Sequence, residues 1–144
     1  NAAAFGTFGY ELDLNRLTAE ERVQVREQIA FMKRYREVLQ FGDFYRLQSP
    51  FEGNFTAWMA VSPDRRTALV GWYKTLNEVN GPSGRGTGRG LLPGLWNAVE
   101  GGGCLLGDEL MNLGLLTTDS AAGESRPNEK PSGDFDSHIF VLEA

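Results

Sequence analysis

Cysteine and histidine are the rarest functional residues in this sequence of 144 residues, which has one of each, Cys104 and His138. A single cysteine cannot form a disulfide within the chain, and zinc sites are usually built on several Cys or His ligands. The sequence therefore excludes a disulfide scaffold, and we expect neither a metal nor a cofactor. The scarcity of cysteine favours a reducing, cytoplasmic location.

Long apolar runs and an excess of positive charge are also missing. No segment approaches the roughly 18 apolar residues that span a bilayer, and residues 1–5 lack the features of a signal peptide. Fourteen Lys and Arg against nineteen Asp and Glu give a net charge of −5, so the chain lacks the positive field that attracts nucleic acid. We expect no membrane and no nucleic acid as partner.

The sequence does contain enough apolar material for one folded domain. Hydrophobic residues make up 41% and aromatic residues 11%, as in globular proteins. Because the chain begins without Met and inside an apolar run, we expect it to be a piece of a larger protein.

The first 41 residues predict a strand followed by a helix. From Phe8 to Asn15 apolar residues alternate with polar or small ones, which is the period of a half-buried strand. Thr18 and Glu21 form a capping-box pattern, and residues 19–40 are predicted as a helix. Its apolar stripe consists of Val25, Ile29, Met32 and Leu39, widened by Phe31, Tyr35 and Val38. A lone βα unit cannot bury both faces of its strand, so the pattern implies missing partners.

Beyond Gly42, which is predicted to close the helix, short alternating runs predict an antiparallel β domain. The strands are expected near 44–48, 55–61, 67–76, 95–99, 110–116 and 134–142. Ser62-Pro63-Asp64-Arg65 has the composition of a type I turn, so the second and third strands should form a hairpin. Residues 77–90 and 120–133 are predicted as surface loops.

Several polar residues have the chemistry of a site, but each also has a simpler interpretation. On a strand, Glu11 and Asp13 would share a face at roughly 7 Å, within the range of paired glycosidase carboxylates; a solvated strand face is the favoured interpretation. Asp134, Asp136 and His138 could also share a face. An Asp-x-His pair could begin a metal or general-base site, but no further ligand or nucleophile completes it, so an ordinary surface histidine is favoured.

Four further features are weaker candidates. Gly84–Gly90 has the glycines of a phosphate-binding loop but neither a GxGxxG pattern nor a Walker lysine, and Cys104 has no base near it in sequence to activate it. Asp108-Glu109 predicts a surface turn. Asn54-Phe55-Thr56 is a glycosylation sequon, which matters only in a secreted protein.

The three tryptophans offer a different kind of site. Trp58, Trp72 and Trp96 could stack on sugar rings if they were exposed, although packing in the core is favoured. Their exposure therefore discriminates between a sugar-binding module and a supporting domain.

A set of rare sequence words carries a resemblance to a known family. They are GTFGYELD at 6–13, FGDFYRL at 41–47, SPFEGN at 49–54, AWM at 57–59, GDELMN at 107–112, GDF at 133–135 and FVL at 140–142. With these words the chain resembles the C-terminal part of microbial α-galactosidases of glycoside hydrolase family 36, the melibiases. The match is almost continuous over residues 3–76 and then resumes in two short stretches; it departs from the family between 77 and 106 and again in an insertion at 120–133.

The resemblance implies a mainly β fold that completes a large enzyme. Residues 1–41 would be the last strand and helix of a (β/α)8 barrel, and residues 42–144 an antiparallel β-sandwich of the Greek-key type. The parent enzyme would hydrolyse terminal α-linked galactose from melibiose and raffinose by a retaining mechanism. Both catalytic aspartates would precede Asn1, so no residue of this chain would be catalytic, and its substrate-binding residues stay unknown. Glu11 and Asp13 would shape the barrel rim.

The implied partners are the rest of the parent enzyme, a galactoside bound through the missing barrel, and further copies in a homo-oligomer. The chain alone is expected to be inactive and to support the barrel. The alternative is a free-standing β-sandwich that binds carbohydrate or a protein through exposed aromatic residues.

Overall fold

The structure, a computed structural model, describes residues 1–76 and 135–144 and, between them, four short strands at 85–86, 95–98, 104–106 and 115–116. Two short 3-10 turns, Ala2–Phe5 and Leu14–Arg16, precede a long helix, α1, at Ala19–Phe41. The strands are β1 Asp43–Gln48, β2 Phe55–Val61, β3 Thr67–Lys74, β4 Arg85–Gly86, β5 Leu95–Ala98, β6 Cys104–Leu106, β7 Leu115–Leu116 and β8 Ser137–Glu143. No helix in these ranges has the length and apolarity of a membrane span.

The predicted helix is confirmed, and its ends follow from local chemistry. Thr18 Oγ1 accepts a hydrogen bond from the Glu21 amide at 3.2 Å, and Glu21 Oε2 accepts one from the Thr18 amide at 2.8 Å. This reciprocal pair satisfies two of the amides that a helix start leaves free. At the other end the Gly42 amide donates to the Val38 carbonyl at 3.0 Å.

The strand predicted between Phe8 and Asn15 is wrong. Residues 6–13 have no regular structure, and Leu14–Arg16 is a 3-10 turn capped by Asp13, whose Oδ1 accepts from the Asn15 amide at 3.0 Å. An alternating pattern becomes a strand only where a neighbouring strand satisfies its backbone groups. None of the described strands pairs with this segment.

The β domain is built on one antiparallel sheet with the order β1-β2-β3-β8-β5-β6, and β4 pairs with β7 in a second, two-stranded sheet. The predicted hairpin is confirmed: β2 and β3 pair along their whole length, and the Arg65 amide donates to the Ser62 carbonyl at 2.8 Å. The fold class is therefore mainly β and antiparallel, as predicted. The second layer of a Greek-key sandwich stays a prediction.

The strand predictions fail where glycine is dense or pairing is distant. The segment predicted as a loop at 77–90 contains β4, and β6 was not predicted. Of the strand predicted at 110–116, only Leu115–Leu116 is described as strand; residues 110–114 and the loop predicted at 120–133 lie outside the described residues. Short glycine-rich strands have little β propensity of their own and depend on their partners.

Both faces of the sheet carry a cluster of buried side chains around β2, β3 and β8. On one face Ala60, Leu69 and Val141 pack against Tyr35 and Val38 of α1. The other face carries a second cluster: Met59, Val61, Ala68, Val70, Leu142 and, from β5, Trp96. This second cluster runs across four neighbouring strands, β2, β3, β8 and β5.

Candidate functional site

A groove of about 450 Å³ lies between the first 3-10 turn, the middle of α1 and the start of β8. Its apolar wall includes Phe8 and Phe31, and its polar groups include Glu27, Gln28 and His138. Pockets of this size bind small molecules in many proteins, often where two structural units meet. This makes the groove the first candidate for a site among the described residues.

The walls of the groove are fixed by contacts between distant parts of the chain. Asn1 Nδ2 donates to the Ser137 carbonyl at 2.9 Å and to its hydroxyl at 3.1 Å. The Tyr10 hydroxyl donates to Gln28 Oε1, and the Phe8 and Tyr10 rings meet edge to face at 5.2 Å. The N-terminal segment is thus attached both to β8 and to α1.

The described residues that line the groove do not include a pair of carboxyl groups. They contribute one carboxylate, that of Glu27, and one imidazole, that of His138, whose ring lies 4.4 Å from the Phe140 ring. Glycoside hydrolysis needs two carboxyl groups on opposite sides of the scissile bond. A metal has no set of ligands either, since the described residues contain no group of three or more His, Cys, Asp or Glu that could hold one.

The structure does not assemble the acidic candidates into a site. Asp13 caps the second 3-10 turn and lies 3.5 Å from Arg16 Nε, and Glu11 is exposed on irregular backbone. Asp136 Oδ1 accepts from the Ser137 amide at 2.8 Å. His138 is exposed at the edge of the groove, and Asp134 lies outside the described residues.

The remaining candidates are not among the described residues that line the groove. Cys104 begins β6, and Arg85–Gly86 of the glycine-rich segment form β4. Residues 108–109 and the rest of 84–90 lie outside the described residues. Asn54 of the sequon is half-buried, and its carbonyl accepts from the Thr75 amide at 2.9 Å.

The tryptophans do not form an open platform. Trp72 and Trp96 are 5% and 1% exposed, and Trp72 stacks on Phe55 with ring centroids 5.4 Å apart. Trp58 is half-buried, with its ring 4.4 Å from Tyr73 and 6.1 Å from Phe5. The alternative of a sugar-binding module through three exposed tryptophans therefore loses its main support.

Tyr73 is the one strongly perturbed titratable group among the described residues. Burial raises the pKa of its phenol to about 12, and the neighbouring Trp58 indole acts in the opposite direction. Trp58 Nε1 and the Tyr73 hydroxyl are both buried without a well-formed hydrogen bond to any described residue. With a raised pKa, Tyr73 stays protonated at neutral pH and cannot serve as a general base there.

Sequence reasoning missed the groove because no local pattern defines it. Its walls come from the N-terminus, the middle of α1 and β8, and Asn1 meets a residue 136 positions away. The one available signal was the apolar stripe of α1, in which Phe31 lies about one turn closer to the start of the helix than Tyr35.

Comparison with known proteins divides the chain into two matched parts. Residues 55–142 match the glycosyl hydrolase family 36 C-terminal domain, and residues 1–42 match melibiase. Alpha-galactosidase AgaA of Geobacillus stearothermophilus is 47% identical over 115 residues, which are 80% of this chain and 16% of that protein.

Solved structures show the same relationship. The α-galactosidase AgaB of Geobacillus stearothermophilus superposes with a TM-score of 0.83 at 42% identity, covering 98% of this chain and 18% of that chain. A doubly substituted AgaA from the same organism, solved in complex with raffinose, gives a TM-score of 0.82 at 39% identity with the same coverage. The chain thus spans less than a fifth of the length of each of these proteins.

Proposed function

The chain belongs to glycoside hydrolase family 36, and from this premise we propose that it is the C-terminal part of a retaining α-galactosidase. The parent enzyme would remove terminal α-linked galactose from melibiose- and raffinose-type oligosaccharides. The observation that carries the proposal is the order of the two matched parts, melibiase over residues 1–42 and the family 36 C-terminal domain over residues 55–142. The raffinose complex of a related enzyme supports the substrate class.

The proposed role of this chain is to support a catalytic barrel, and the two sides of α1 support it. One side, with Phe31, Tyr35 and Val38, packs on the sheet of this chain. Outside this packed side α1 exposes apolar side chains, among them Val23 at 48%. Leu14, just before the helix, is 61% exposed. Soluble domains rarely leave such apolar surface open without a partner, and we propose that the rest of a (β/α)8 barrel covers it.

The division of labour within the parent follows from the chemistry of the reaction. Retaining glycosidases use two carboxyl groups about 5 Å apart, and the acidic candidates Glu11, Asp13 and Asp136 lie on irregular backbone or in a turn cap instead. We propose that both catalytic aspartates precede Asn1, in strands of the barrel. In this proposal residues 1–41 complete the barrel and residues 42–144 form a Greek-key sandwich beside it.

Further proposals concern assembly and location. Three phenylalanines around the start of the sheet are exposed: Phe41, Phe44 and, at 95%, Phe51. They support a contact with another subunit of a homo-oligomer or with the rest of the enzyme. A cytoplasmic location is supported by the single cysteine.

A chimera tests the proposed function. The segment of AgaA that matches this chain would be replaced by residues 1–144, and the chimera assayed on nitrophenyl α-galactoside beside AgaA that lacks the segment. We expect hydrolysis by the chimera and none by the truncated enzyme or by this chain alone. A soluble, folded chimera without activity would contradict the proposal, and so would turnover by the isolated chain.

A further inference from the structure

Gly42 joins the two matched parts of the chain without a linker. Helix α1 ends at Phe41 and β1 begins at Asp43, so Gly42 alone connects the helix to the sheet. Its φ of −74° and ψ of 163° are open to any residue. The backbone conformation therefore gives no reason for glycine at this position.

Glycine is required at this position because the structure leaves no room for a Cβ atom. A Cβ atom on Gly42 would lie 2.4 Å from the Val38 carbonyl oxygen and 2.4 Å from the Val61 carbonyl oxygen. Both are backbone atoms, so neither can rotate away as a side chain could. Val38 belongs to the last turn of α1, and Val61 ends β2 and pairs with Asp43 of β1. At Gly42 the helix end, the start of β1 and the end of β2 are in contact.

Contacts farther along α1 fix the helix to the sheet. Tyr35 and Val38 are buried against Ala60 of β2, Leu69 of β3 and Val141 of β8. Arg34 Nη2 also lies 3.4 Å from Glu143 Oε1 at the end of β8. The C-terminal half of α1 thus packs on three neighbouring strands. Because Gly42 alone connects the helix to β1, there is no linker that would let the helix shift relative to the sheet.

We infer that Gly42 is a positioning residue of the enzyme: by letting α1 pack directly on the sheet, it determines where the N-terminal end of α1 and residues 6–17 lie. This inference rests on the proposed function, because in a (β/α)8 barrel the segment that precedes a helix lies on the face that carries the active site. A helix of 23 residues is about 35 Å long, so it carries a displacement at Gly42 to that face. A misplacement of about 1 Å can cost about 100-fold in rate.

The junction is tested on the chain itself by hydrogen exchange. Gly42→Ala is compared with Gly53→Ala, because a Cβ at Gly53 meets nothing within 4 Å. We expect Gly42→Ala to lower the protection of α1 amides about tenfold or more relative to the sheet, through local opening of the helix, and Gly53→Ala to leave both unchanged. A single glycine inserted between Gly42 and Asp43 adds no Cβ and should loosen α1 in the same way, even if Gly42→Ala fails to fold. Unchanged α1 protection in the insertion variant would overturn the inference.

Positioning is tested in the chimera with nitrophenyl α-galactoside. Misplaced groups at the active-site face lower kcat more than they raise KM when they act mainly in the transition state. We expect Gly42→Ala or the insertion to lower kcat at least tenfold and to change KM less than threefold, which is about the pattern that the loss of transition-state contacts produces. The control Gly53→Ala should change neither kcat nor KM. A variant that melts at a lower temperature but keeps its kcat would show a structural role only and overturn the inference. An inactive parent chimera would instead contradict the proposed function, and hydrogen exchange would still decide whether the junction fixes α1.

Discussion

At the scale of single residues, polar contacts within the turn between β2 and β3 hold the hairpin in register. The Ser62 hydroxyl donates to Asp64 Oδ1 at 2.6 Å and accepts from the Thr67 amide at 2.9 Å. The Arg66 amide donates to the same Asp64 oxygen at 3.1 Å. Ser62 thereby links the turn carboxylate to the first residue of β3. Pro63 favours this turn, but its geometry depends on the carboxylate accepting both hydrogen bonds.

This network predicts a pH dependence of stability. Hydrogen bonds from the Ser62 hydroxyl and then the Arg66 amide lower the pKa of Asp64 from its ordinary value of 3.8. Because the folded-state pKa is the lower one, the contribution of Asp64 is complete above the unfolded-state value and is lost as the pH falls through the folded-state value. We expect the melting temperature of Asp64→Asn to fall less than that of the original chain between pH 5 and about 2.5, in the range where such carboxylates titrate.

Glu52→Gln is the matched control, since it removes an exposed carboxylate from another turn. It should keep the original acid dependence. The same melting curves at every pH for Asp64→Asn and the original chain would rule out the contribution of this carboxylate.

At the scale of secondary-structure elements, those defined by residues close together in the sequence could be predicted, and those that depend on a distant partner could not. The start of α1 was predictable because Thr18 and Glu21 act on amides within three residues. The hairpin was predictable because Pro63 presets its turn. Residues 8–15 alternate like a strand, but strand formation depends on a partner that no local pattern reveals. The strand β4 was missed for the same reason, since its partner lies at residues 115–116, and the three-residue β6 was missed because it directly follows three glycines.

The capping box makes a prediction for α1. Thr18→Ala removes the acceptor of the Glu21 amide and should lower the free energy of unfolding by about 1 kcal/mol, the usual cost of losing such a cap. Thr7→Ala is the control, because Thr7 is exposed and lies outside the helices and strands. Denaturant unfolding followed by circular dichroism measures both. An equal loss in the two variants would mean that the cap adds nothing to the stability of α1.

At the scale of the whole molecule, the sequence words predicted the family, whereas the groove could not be predicted. These motifs lie in continuous stretches of the sequence, so they can be recognised without knowledge of the fold. The groove brings Asn1, Phe31 and His138 together, and only tertiary packing sets their distances. The close contact at Gly42 could not be predicted either, because the Val61 carbonyl that it meets belongs to the end of another strand, β2. Sequence patterns report which surfaces are apolar, and the structure reports which of them remain uncovered.

The uncovered side of α1 gives the last prediction. Val23 is 48% exposed in this chain, and in the proposed enzyme it would be buried against the barrel. Val23→Asp should therefore leave the melting temperature of the isolated chain nearly unchanged, because surface substitutions usually change stability by about 0.5 kcal/mol or less. In the chimera the same change would bury an unpaired carboxylate, which costs several kcal/mol, and should greatly reduce the yield of soluble, active enzyme.

Gln24→Asp is the matched control, since Gln24 is the next residue of the same helix, is exposed, and lies about 100° around the helix axis from Val23. It introduces the same charge, so a general effect of an added carboxylate on the helix would appear in both chimeras. A chimera that accepts Val23→Asp as readily as Gln24→Asp would show that this side of α1 remains in water. The barrel would then have to meet the chain elsewhere, with Leu12 and Leu14 as the remaining exposed apolar residues before the helix.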